Sequence, residues 1–212
     1  MRPFAALLVC LCLAAGLAAC KPSGGAAAPG GASETGDMSL GPANAKVTVI
    51  EYASVSCPVC AKWANDNWTT FKAKYVDTGK VHYVLREMLT HDPSGAAAGF
   101  LLARCAGKDK YFQIVDAIYH EQPEMYPADG SNHARDGLLK VAESAGFTEA
   151  QFNACITNSD ALLALNDRVE KESKEANIES TPTFVINGKQ LVGYQDMPTL
   201  DKAIADAQAG AK

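Results

Sequence analysis

Hydrophobic and polar positions change period several times along this chain, and those changes divide it into elements. Lys46 to Tyr52 is β-branched and largely apolar, the pattern of a buried central strand. After a short polar turn, Trp63, Ala64, Trp68, Phe71 and Tyr75 fall near helical spacing from Cys60 onward, with Gly79 placed to stop that helix. Val81 to Met88 reads as a second strand. Asp92-Pro93 caps and starts a helix with Ala98, Leu101, Leu102 and Cys105 on one face. Tyr111, Phe112, Val115, Ile118 and Tyr119 form another helical stripe, followed by an expected loop with Pro123, Pro127 and Gly130. Leu138, Leu139, Val141, Ala142 and Ala145 precede Gly146, and Thr148 with Gln151 has the spacing of a capping box opening a helix through Phe152, Cys155 and Ile156. Leu162, Leu163, Asn166, Val169 and Ser173 mark one more helix. Strand patterning then returns: Thr183 to Ile186 and Gln190 to Val192 are joined by Asn187-Gly188, a two-residue hairpin signal. Pro198 to Gln208 closes as an amphipathic helix on Leu200, Ala203, Ile204 and Ala207. Strand, helix, strand, helical block, hairpin, helix is the order of an α/β sheet with a helical insertion.

The chain has 212 residues, 48% hydrophobic and 20% charged, which suits a packed globular core rather than disorder. A formal net charge of -5 argues against a nucleic-acid surface or a basic face for acidic lipids. Membrane attachment therefore has to come from the N-terminus. Arg2 precedes an apolar run from Phe4 to Leu17, of signal-peptide length and short for a span. It ends in Leu17-Ala18-Ala19-Cys20, which resembles a bacterial lipobox; the resemblance implies cleavage before Cys20 and lipid on that cysteine. The alternative is an ordinary signal with a chance cysteine. The expected organisation is a lipoprotein signal peptide (1–19), a lipidated cysteine and flexible linker (20–38), a core half (39–93), the helical insertion (94–178) and a second core half (179–212).

Seven cysteines stand at 10, 12, 20, 57, 60, 105 and 155. Signal cleavage and lipidation leave four for the folded domain, an even number that suits an oxidising compartment. Cys57 and Cys60 are the economical pair, which leaves Cys105 with Cys155 as a structural disulfide across the insertion; two buried free thiols, or a redox-regulatory pair, are the alternatives. Cys57-Pro58-Val59-Cys60 lies between a strand and a helix. There, unpaired backbone N–H groups and the positive end of the helix dipole favour a thiolate, so Cys57 is expected to be acidic and to attack, with Cys60 resolving the mixed disulfide. Zinc needs a second close ligand pair, which the sequence lacks, and the apolar stripes contain no cofactor box; no metal and no cofactor are expected. A purely structural bridge over two residues would constrain little.

Val49-Ile50-Glu51-Tyr52-Ala53-Ser54 before the Cys57–Cys60 pair, with Ser180-Thr181-Pro182-Thr183-Phe184-Val185-Ile186-Asn187-Gly188 downstream, resembles the DsbA-like branch of the thioredoxin superfamily over residues 40–208. The resemblance implies a thioredoxin fold with an inserted helical domain and thiol:disulfide exchange. It implies a cis Pro182 against the cysteines, Thr181 presenting backbone to a bound peptide, and Glu51 as a buried acid that relays a proton to or from Cys60. A Glu51 facing solvent is the competing reading. The partners implied are exported proteins with cysteine pairs and a quinone-linked, DsbB-like membrane protein. A periplasmic location follows, with the lipid in either the inner or the outer membrane. Val59 stands where the best-known oxidases have His, which predicts a less acidic Cys57 and a milder oxidant. The competing functions are a reductase or isomerase kept reduced, and a lipid-anchored peptide-binding adaptor without turnover. Residues 21–40 have no periodicity for an oligomerisation segment, which favours a monomer.

Overall fold

The computed structural model describes Met1 and residues 36–211. The expected signal peptide, Cys20 and most of the expected linker lie outside the described residues. Among the described residues five strands form one sheet in the order β1-β3-β2-β4-β5. β2 (Val47–Ala53) and β3 (Val81–Glu87) run parallel at its centre. β4 (Thr183–Ile186) adds antiparallel to β2, and β5 (Lys189–Val192) antiparallel to β4. The hairpin turn has Asn187 at φ 44° and Gly188 at φ 88°, both left-handed, as a two-residue turn of this kind requires.

The far edge is the first departure from expectation. β1 (Met38–Leu40) pairs antiparallel with β3, so the expected linker ends one residue sooner and Met38 belongs to the sheet. Its side chain is buried. Three residues carry too little periodicity to be read as a strand; their pairing partner creates it.

Between β2 and β3 the chain is helical from Pro58: α1 (Pro58–Trp63), a π-helical stretch (Ala64–Trp68), α2 (Thr69–Phe71) and a second π-helical stretch (Lys72–Val76). The insertion comprises α3 (Pro93–Cys105), α4 (Lys108–Met125), α5 (Ala134–Ser144), α6 (Glu149–Ile156) and α7 (Ser159–Glu175). α8 (Met197–Gly210) packs on β2 and β4. The Thr148–Gln151 capping box forms as the spacing predicts.

Pro123 corrects the loop expected there, because α4 continues through it to Met125. A proline within a helix supplies no N–H to the carbonyl four residues earlier, here that of Tyr119. Asn65 from the neighbouring π-helical stretch donates to that carbonyl at 3.4 Å and replaces the missing bond. Tertiary contact thus carries the helix one turn further than its local sequence suggests.

Aromatic rings join the layers. Trp63 packs on Phe184 of β4 at 4.8 Å between centroids, and Trp68 on Tyr83 of β3 at the same separation. The Trp63 indole N–H donates to Gln195 O at 2.9 Å, tying α1 to the segment after β5. A disulfide joins Cys105 at the end of α3 to Cys155 in α6, with Cα atoms 5.9 Å apart.

Candidate active site

β2 ends at Ala53, and a turn closed by Cys57 N–H donating to Ser54 O (3.1 Å) delivers Cys57 to the start of α1. Cys57 is the N-cap, with extended backbone (φ -78°, ψ 120°), and its Sγ accepts the N–H of Cys60 at 3.4 Å. Pro58 follows at the first helical position, where a missing N–H costs nothing. Local sequence therefore dictates the cap: a side chain that accepts, then a proline preset for the helix. Both cysteines are free thiols and both are buried.

Their surroundings drive them apart. The Cys57 pKa falls to about 5, chiefly because the Cys60 thiol donates to its sulfur, with further hydrogen bonds from Thr181 and from the N–H groups of Cys60 and Val59 outweighing burial. Cys60 moves well above the ordinary thiol range, because burial and the proton it shares with Cys57 both favour the thiol, and the charges on Cys57 and Glu51 add to this. One cysteine is a thiolate at neutral pH and the other holds its proton. The acidity of Cys57 arises here without an imidazole between the cysteines.

Glu51 is buried in β2, 2% exposed, and does not face solvent. The Tyr83 hydroxyl donates to its Oε2 at 2.6 Å. Burial lifts its pKa to about 8, against the Tyr83 hydrogen bond and with help from the negative charge of Cys57. A carboxyl in this state holds a proton near neutral pH and can give it up.

The opposite wall is the segment before β4. The Thr181–Pro182 peptide bond is cis, and Cys57 Sγ lies 3.6 Å from Thr181 O. Pro182 O accepts the N–H of Gly193 at 2.8 Å, which fastens this segment to the end of β5. Cys57, Cys60, Glu51, Thr181 and Pro182 thus meet around one centre although 131 positions separate Glu51 from Pro182 in the numbering. Cys105 and Cys155 belong to the insertion instead.

Four supporting residues have no role assigned from the sequence. The Thr90 hydroxyl sits 2.9 Å from that of Thr181. Ser56 Oγ donates to Thr90 O at 2.6 Å, and Ser54 Oγ contacts the same carbonyl at 3.2 Å. Gln122 of α4 donates its Nε2 to Val55 O (2.8 Å) and Cys57 O (3.2 Å), so the insertion grips the turn that carries the cysteines. Gln122 had one legible signal, a polar residue three positions after Tyr119 on an apolar stripe. Thr90 and Ser56 had none, because the partners that matter are remote in sequence, and Ser54 stood in the motif before the cysteines with no role attached. Among the described residues no three His, Cys, Asp or Glu side chains come together to hold a metal.

Comparison with known proteins agrees with this geometry. A family model described as Thioredoxin matches residues 33–206. A Rickettsia bellii protein named "Putative protein-disulfide oxidoreductase" is 30% identical over 175 residues, covering 81% of this chain and 66% of its own. A Rickettsia conorii protein of the same description is 30% identical over 179 residues, covering 83% and 63%. The chain therefore spans just under two thirds of these relatives' lengths. Among solved structures, Wolbachia pipientis alpha-DsbA1 superposes with a TM-score of 0.72 at 23% identity, covering 82% of this chain and 92% of that one. Bacillus subtilis BdbD gives a TM-score of 0.70 at 19% identity, covering 82% and 94%. The sheet order, the inserted helices and the family match lead to one conclusion: this chain belongs to the thioredoxin family and has the DsbA-like form of its fold.

Proposed function

We propose that this protein is a thiol:disulfide oxidoreductase that donates the Cys57–Cys60 disulfide to exported proteins with cysteine pairs. The observation that carries the proposal is the split between the two thiols, one acidic and capped, the other buried and protonated. A client thiolate attacks Cys57, and Cys60 leaves with the electron pair. The client's second thiolate then attacks its own sulfur in the mixed disulfide and releases Cys57 as a stable thiolate. Stabilising Cys57 in this way favours the reduced enzyme, which makes the disulfide an oxidant. In this reading Thr181 and Pro182 hold the client backbone beside Cys57, and Glu51 exchanges a proton with Cys60. Cys105–Cys155 braces the insertion.

Reduced enzyme requires reoxidation, for which a quinone-linked, DsbB-like membrane protein is the proposed partner. Among the described residues no helix is long and apolar enough to cross a membrane. The proposed anchor is lipid on Cys20, holding the domain in the periplasm.

The reduction potential of the pair, followed by glutathione equilibration with mass spectrometry of the Cys57 peptide, tests the direction. A value towards about -120 mV supports the oxidase, and one near about -270 mV overturns it in favour of a reductant. Replacing Cys57 by Ser abolishes exchange if either enzymatic role holds; unchanged exchange in Cys57→Ser removes Cys57 as the nucleophile.

A further inference from the structure

Behind the cysteine pair, the sheet, the first π-helical stretch and α4 line a partly open cavity of about 20 Å³, with Glu51, Trp68, Tyr83, Phe112, Asp116 and Tyr119 among its walls. One water needs about 10–15 Å³, together with polar partners. The cavity offers them in an otherwise apolar wall. Glu51 with Tyr83 is on its buried side, and Asp116, whose side chain is 41% exposed, is on its solvent side. Tyr119 is three residues after Asp116 on α4, hence on the same helix face. Its side chain is 4% exposed, and its hydroxyl makes no hydrogen bond to any described residue. Buried phenols ordinarily find a partner. Burial first, then the charges of Cys60, Glu51 and Cys57, keep this phenol protonated and a donor.

We propose that Tyr119 is a positioning residue for the proton that accompanies disulfide exchange, holding a water between Glu51 and Asp116 so that protons pass between Cys60 and solvent along the insertion. The inference rests on the exchange reaction proposed above. When a client thiolate bonds to Cys57 Sγ, the Cys57–Cys60 bond breaks and Cys60 leaves as a thiolate. Glu51 gives it a proton, the water returns one to Glu51, and the Asp116 side resupplies the water from solvent. One proton enters in all. Release of Cys57 needs none, since it leaves as a stable thiolate. The titratable groups facing Glu51 and this path are Cys57 and Cys60 at the start of α1, Tyr83 of β3, and Tyr111, Asp116 and Tyr119 of α4, with His120 beside Asp116.

The test is stopped-flow reduction of the oxidised full chain by glutathione across pH 5–9, in H₂O and D₂O, for wild type, Tyr119→Phe and Asp116→Asn. Tyr119→Phe removes only the hydroxyl, and Asp116→Asn alters a half-exposed side chain. Both variants should slow reduction at least about fivefold, with a larger solvent isotope effect and a displaced pH midpoint. Wild-type rate, isotope effect and pH profile in both variants would overturn the proposal. So would a slower rate with unaltered isotope effect and profile, which marks a structural defect. If wild type itself forms no mixed disulfide at Cys57, the exchange reading fails first, and that result is distinct from equal rates among the variants.

Discussion

Two buried carboxylates sit on adjacent strands of the same sheet and have opposite surroundings. Glu51 of β2 and Glu87 of β3 are 2% and 3% exposed. The parallel register places Glu51 beside Leu85 and Ala53 beside Glu87, so both side chains project from the same face, two steps apart. Glu87 meets Arg104 of α3 at 2.7 Å, Arg168 of α7 at 3.4 Å, and the Tyr111 hydroxyl at 2.9 Å. Glu51 has the Tyr83 hydroxyl and faces two cysteines. The same side chain, equally buried, is a clasp for the insertion in one place and a titrating acid in the other. What differs is the cation. A buried carboxylate that meets a guanidinium binds elements together; one without it becomes a proton store.

Breaking the clasp should have the largest effect. Arg104→Met leaves Glu87 with the more distant Arg168, and removal of one partner from a buried pair costs about 3–5 kcal/mol. Urea unfolding would measure it. A loss below about 1 kcal/mol would mean that Glu87 finds its compensation elsewhere.

The second test uses pH. Glu51 titrates near 8 when folded and near 4.3 when unfolded, so between these values the native state binds more protons. Its contribution therefore lowers stability as pH rises through that window. Cys57 has the opposite sign: at about 5 folded against about 8.5 unfolded, it adds stability to the reduced protein as pH rises. Locking Cys57 in the disulfide removes that gain and exposes the Glu51 slope. Oxidised protein is thus expected to lose stability from about pH 4.5 to 8, and oxidised Glu51→Gln to lose much less. Equal slopes in the two would show that Glu51 does not carry the proton.

The smallest expected effect sharpens the contrast from the other side. Tyr83→Phe deletes the hydrogen bond that opposes burial at Glu51, so the Glu51 midpoint should move further up. The stability loss should be about 1 kcal/mol at neutral pH, where the carboxyl is mostly protonated. Carboxyl NMR titration would follow the midpoint; a downward move would mean that Tyr83 does not stabilise the charged form.

Several features were legible because their cause is local. Asn187-Gly188 supplies its own left-handed turn, Thr148 and Gln151 cap each other, and Pro58 after Cys57 presets the helix that the thiol caps. The extent of α4 was not legible, because Asn65 supports the helix through Pro123 from another element. Neither was the support that Thr90 and Gln122 give to the site, because they reach Thr181 and Cys57 from distant positions.

By itself the sequence determined the order of elements, the pair Cys57-Pro58-Val59-Cys60 at a strand-to-helix junction, and the resemblance that marked Glu51, Thr181 and Pro182. Periodicity, capping and turn chemistry act over a few residues and leave their mark in the string. Only the tertiary structure decided which buried carboxylate received an arginine and which a cavity. That choice depends on which side chains converge across the sheet, and local pattern does not encode convergence.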